Sequence, residues 1–88
     1  MESVRMILII QEPSFSTKEE VEGILGEMKV NASVFWNKWL GLYLKKEGCG
    51  FFTVEEAKSF MERNMILSHR LFLDPVEWSD NVAVMSAK

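Results

Sequence analysis

Ser33–Lys46 reads SVFWNKWLGLYLKK, with two tryptophans, a phenylalanine, a tyrosine, three leucines and a valine in fourteen residues. How this stretch folds decides how the rest of the 88-residue chain is arranged. On a helical wheel Trp36, Leu40 and Leu44 fall together, and Tyr43, Trp39, Phe35 and Leu42 continue the same surface. The apolar arc then covers about 200°, against roughly 100° for an ordinary surface helix. Asn37, Gly41, Lys38 and Lys45 form the remaining polar strip, and Lys46 can snorkel from the arc near its end. Ser33 supplies an N-cap and Gly48-Cys49-Gly50 a stop. The stretch is therefore expected to be a helix, with Trp39 and Leu40 among the most buried side chains. An arc this wide exceeds what one core face requires. Either the helix is central to the core, or one sector meets a partner through large aromatic anchors, for which Phe35, Trp36, Trp39 and Tyr43 are the candidates.

Upstream, Val4–Ile10 (VRMILII) is β-branched and apolar on both faces, as a central strand would be. Pro13 lies in the break that follows. Val21, Ile24, Leu25 and Met28 then sit at i, i+3, i+4 and i+7, which predicts a helix from Thr17 to about Val30. Thr17 and Glu20 have capping-box spacing, and Glu19, Glu20 and Glu22 suit the positive end of that helix. Downstream, Phe51 and Phe52 form a short extended piece. Thr53 and Glu56 repeat the capping box before a third helix with Val54, Ala57, Phe60 and Met61 on its apolar face. Met65, Leu67, Leu71 and Leu73 alternate, with His69 among them, which predicts a strand from about Leu67. Asp74-Pro75 marks a turn, and Asn81–Ala87 is expected to be a last strand. The expectation is a single α+β domain over residues 1–88, in the order β-α-α-α-β-β, with three helices packed on one face of a sheet of about three strands.

Composition narrows the functional classes. With 48% apolar and 26% charged residues the chain has ordinary globular usage. Ten basic against thirteen acidic residues give a net charge of −3, an unpromising balance for binding nucleic acid through its phosphates. No apolar run approaches the ~20 residues that span a bilayer, and MESVRMILII is too short and too β-branched for a secretory segment, so a cytoplasmic protein away from membranes is expected. One cysteine, Cys49, and one histidine, His69, fall short of a zinc ligand set, and neither an EF-hand nor a phosphate-binding glycine loop occurs. No metal or other cofactor is expected. Cys49 and His69 are the only residues that suggest a nucleophile–base pair, and they are far apart in the chain.

These readings converge on a non-catalytic protein-binding module, such as an inhibitor, adaptor or accessory factor. It is expected either as a homodimer or as a monomer that docks a different protein. The alternative is a winged-helix nucleic-acid binder, with a recognition helix from Met65 and a wing-like hairpin after it. Against it, Glu55, Glu56 and Glu62 balance Lys58, Arg63 and Arg70 across residues 53–73, so no basic footprint forms.

Overall fold

The computed structural model describes residues 4–11 and 17–79. It is a small α+β domain of three helices and a four-stranded antiparallel sheet. The elements are β1 (Met6–Ile10), α1 (Lys18–Glu27), β2 (Ala32–Asn37), β3 (Gly41–Lys46), α2 (Val54–Arg63), α3 (Met65–Leu71) and β4 (Leu73–Glu77). The spatial order is β2-β3-β1-β4. Thus β3 separates β1 from β2, and β1 separates β3 from β4, which is the split βαβ connectivity. The expected order β-α-α-α-β-β and three-stranded sheet are corrected to β-α-β-β-α-α-β and four strands.

The largest correction is Ser33–Lys46, which is a hairpin of β2 and β3 paired from Ala32↔Lys46 to Asn37↔Gly41. Strand alternation explains the over-wide arc. Val34, Leu42 and Leu44 are buried among the helices, whereas Phe35, Tyr43 and Lys45 belong to the opposite face. A strand covered on both sides is apolar all round, as a buried helix is. The turn chemistry also opposes a helix. The Asn37 Oδ1 accepts from the backbone N–H of Trp39 at 2.8 Å and of Leu40 at 3.1 Å. Gly41 has φ 81°, a conformation open to glycine without steric cost. Trp39 and Leu40 lie in this turn; Trp39 is exposed and Leu40 half-buried, the reverse of the expected burial. The Gly48-Cys49 stop does adopt left-handed backbone, φ 84° and 66°, but it ends a strand and not a helix.

Residues 65–71 correct a second expectation. Leu67 and Leu71 are fully buried at i, i+4, so the helical period prevails over the alternation that fits the same residues. Phe72 closes α3 in left-handed backbone, φ 54°, with its N–H on the Ser68 carbonyl. The strand begins after it, so Asp74-Pro75, expected as a turn, lies within β4. Proline is tolerated there because β4 is an edge strand. The expected last strand, Asn81–Ala87, lies outside the described residues.

Other expectations agree with the structure. β1 is central, with Ile7 and Leu8 fully buried on opposite faces. Both capping boxes are complete, Thr17 with Glu20 and Thr53 with Glu56. Helix α1 ends a turn before Val30, because Lys29 turns left-handed at φ 56° and the Val30 N–H closes back on the Leu25 carbonyl at 2.9 Å. The main core lies between helices and sheet: Leu8, Ile10, Val34, Leu42, Leu44 and Leu73 meet Val21, Leu25, Ala57, Phe60, Leu67 and Leu71.

Candidate functional site

The face of the sheet opposite the three helices, helix-free among the described residues, carries an aromatic row. Phe35 stacks on Tyr43 at 5.7 Å, Tyr43 on Trp78 at 5.9 Å, and Trp78 meets Phe51 at 5.8 Å between ring centroids. Strand pairing aligns Phe35 with Tyr43 and Tyr43 with Ile9 on this face. The Trp78 N–H donates to the Arg5 carbonyl at 2.7 Å, which anchors the residue after β4 beside β1. The Lys45 Nζ lies 4.4 Å from the Phe51 ring centre, 4.8 Å from that of Phe35 and 5.8 Å from that of Trp78. The Arg5 guanidinium lies 5.1 Å from the Phe51 ring centre. The cations thus sit on the negative faces of the rings. Beneath them Ile7 is fully buried and Tyr43 only 6% exposed. Burial pushes the Tyr43 hydroxyl above its ordinary pKa. This face is a second packed layer built from side chains, without a covering element among the described residues.

The end of the β2–β3 hairpin is different. Trp36, the penultimate residue of β2, is 64% exposed, and Trp39 in the turn is 44% exposed. The Lys38 Nζ lies 5.5 Å from the Trp39 ring centre. Trp36 belongs to the helix side of the sheet, since it pairs with buried Leu42, but it extends past the core. The four candidate anchors therefore separate. Trp36 and Trp39 face solvent at one end of the sheet, Phe35 is half-buried in the aromatic row, and Tyr43 is buried within it.

A second exposed apolar surface lies on α3, where the alternation of Met65, Leu67, Leu71 and Leu73 predicts a strand from about Leu67. Met65, Ile66 and Phe72 are exposed there, Ile66 at 74%. Met65 and Ile66 line a shallow pocket with His69 and Arg70. The signal was the apolar triplet Met65-Ile66-Leu67, of which a helix can bury only one side.

Cys49 is exposed in the turn after β3, and His69 is exposed on α3; the pockets that His69 lines do not include Cys49. Among the described residues, no three His, Cys, Asp or Glu side chains gather into a metal-binding group. Glu55 and Glu56 occupy the first turn of α2, and the Thr53 N–H together with Lys46 at 3.3 Å draws the Glu56 pKa below its ordinary value. Helix α3, the would-be recognition helix, has seven residues, and β4 after it pairs along its length with β1. No helix among the described residues is long and apolar enough to cross a membrane. The split βαβ connectivity by itself assigns no activity. The chain matches no protein-family model, no curated protein and no solved structure.

Proposed function

We propose that this protein is a non-catalytic protein-binding module whose contact surface is the end of the β2–β3 hairpin. The observation that carries the reading is Trp36, a tryptophan left 64% in water on an edge strand. Its exposed area adds little to the core, yet tryptophan is among the strongest anchors of protein interfaces. Trp39, displayed on a turn held by the Asn37 side chain, gives the surface a second anchor in a defined position. The aromatic row on the helix-free face supports a nucleic-acid platform less well, because Lys45 and Arg5 already occupy ring faces on which bases would stack.

Affinity capture from the native cell tests the reading by comparing three baits. A protein retained by the wild type and by Ile66→Ala, but lost with the Trp36→Ala/Trp39→Ala pair, is the expected result. Loss only with Ile66→Ala would move the site to α3. Retention unaffected by the tryptophan pair would remove the hairpin from consideration.

A further inference from the structure

The geometry points to a second copy of this chain as the partner of β2, joined edge to edge by antiparallel pairing of Ala32–Asn37 with itself. The inference deepens the reading of the hairpin as the binding surface and rests on it. It starts from the inequality of the two sheet edges. The β4 edge is LDPVE, with Pro75 lacking an N–H and with Asp74 and Glu77 charged. These are the devices that keep edge strands from pairing. The β2 edge is ASVFWN, longer by one residue and without proline or charge. One side of its backbone pairs with β3 and the other with no strand among the described residues.

Self-pairing is also the arrangement for which this strand is chemically matched. Side chains alternate, so an antiparallel copy keeps both sheet faces in register only when the two-fold axis passes through a residue. With the axis through Phe35, that ring meets its own copy on the helix-free face, already a stacked aromatic surface. On the same face Ser33 comes opposite Asn37, polar against polar. On the helix face Trp36 comes opposite Val34, so the exposed indole covers a residue at the border of the core. No charges lie opposite one another within the strand. The nearest charge across the junction is Lys38, which comes opposite uncharged Ala32. One self-complementary strand suffices for closed two-fold pairing, and a single eight-stranded sheet results, the two four-stranded sheets joined at β2.

The full chain is examined by sedimentation equilibrium at micromolar concentration, alongside Trp36→Lys and Ser33→Lys, which put a charge on the edge without removing buried side chains. The expected result is a wild-type dimer and two monomeric variants with unchanged circular dichroism, which melt where the wild type melts once it is diluted to monomer. Amide exchange gives a readout that is independent of variants: protection of residues 32–37 should rise with protein concentration, while that of residues 73–77 stays constant. A wild-type monomer whose 32–37 amides exchange at a concentration-independent rate would overturn self-pairing. If those amides are then protected only by a protein captured through the hairpin, strand addition to a different partner replaces this inference and the binding-surface reading survives. If they are protected by nothing and capture ignores Trp36 and Trp39, both fall.

Discussion

The two faces of the sheet are closed by different means. On the helix face, Leu8, Ile10, Leu42 and Leu44 meet aliphatic and aromatic side chains delivered by α1, α2 and α3. On the opposite face no helix is present among the described residues, yet Ile7 on the same strand is as fully buried as Leu8. There the cover consists of long side chains lying across the strands: Phe35, Tyr43, Trp78 and Phe51 edge along one another, with Lys45 and Arg5 placed on ring faces. A chain of 88 residues has little material for a second covering layer. Ring area and amphipathic stems substitute for it, since a flat ring spans neighbouring strands and a cation can leave its apolar stem buried.

The most direct way to break this comparison is a pair of truncations one residue apart. Leu8→Ala opens the helix-side core and Ile7→Ala the aromatic side, and both side chains are fully buried. Each should cost about 2–5 kcal/mol in urea titration, a large part of a small domain's stability. A loss below about 1 kcal/mol for Ile7→Ala alone would show that the aromatic cover is not packed. Next in size is Trp78→Ala, which removes the ring between Tyr43 and Phe51. Because Trp78 is half-buried, the expected cost is about 2 kcal/mol, below the ~3–5 kcal/mol of a fully buried aromatic.

Lys45→Met sharpens the comparison by keeping the stem and deleting the charge. With its amine over three rings, a loss of about 0.5–2 kcal/mol is expected. Lys46→Met, next to it but on the helix side, breaks an exposed, solvent-screened pair with Glu56 and should cost less than Lys45→Met. Equal losses would mean that the rings add nothing to the Lys45 cation.

Tyr43 gives the cover a pH signature. Its folded pKa is raised by burial, so the contribution is complete below the unfolded value of 10.0 and is lost as pH rises through the higher folded value. Melting temperature should therefore fall on the alkaline side, and Tyr43→Phe should remove that part of the fall. The smallest effect is expected at the hairpin end. Measured at a dilution that keeps the chain monomeric, Trp36→Ala should change stability by no more than about 0.5 kcal/mol, because in the single chain the side chain is mostly in water; a much larger loss there would make Trp36 a core residue and weaken its assignment as an anchor.

Legibility in the sequence followed the range of the forces involved. The capping boxes at Thr17 and Thr53 could be read because donor and acceptor are three residues apart. β1 could be read because apolar residues on both faces of a short β-branched run mark a central strand. Ser33–Lys46 could not be assigned from its apolar pattern, since two covered faces erase the period-2 signal that separates strand from helix. Asn37 and Gly41 held the local information that would have divided it into a hairpin. Phe35, Trp36, Trp39 and Tyr43 stand out in the sequence as an unusual group, but their division into exposed Trp36 and Trp39 and buried Tyr43 depends on pairing with a strand more than thirty residues away, Ile9↔Tyr43. The α3 surface was hidden because Leu67 and Leu71 fit both periods.

By itself, the sequence determined the starts of α1 and α2, the centrality of β1 and the α+β class, all of which follow from hydrogen bonds and side-chain periodicity within a few residues. Only the tertiary structure decided that the tryptophan-rich stretch is two strands, that β3 lies against β1, and that Trp78 covers Tyr43. Those outcomes depend on long-range pairing and on burial of each strand's second face. A strand's backbone groups find partners only across the sheet, whereas a helix satisfies most of its own. Where local pattern permits both, the contact made at a distance selects the fold.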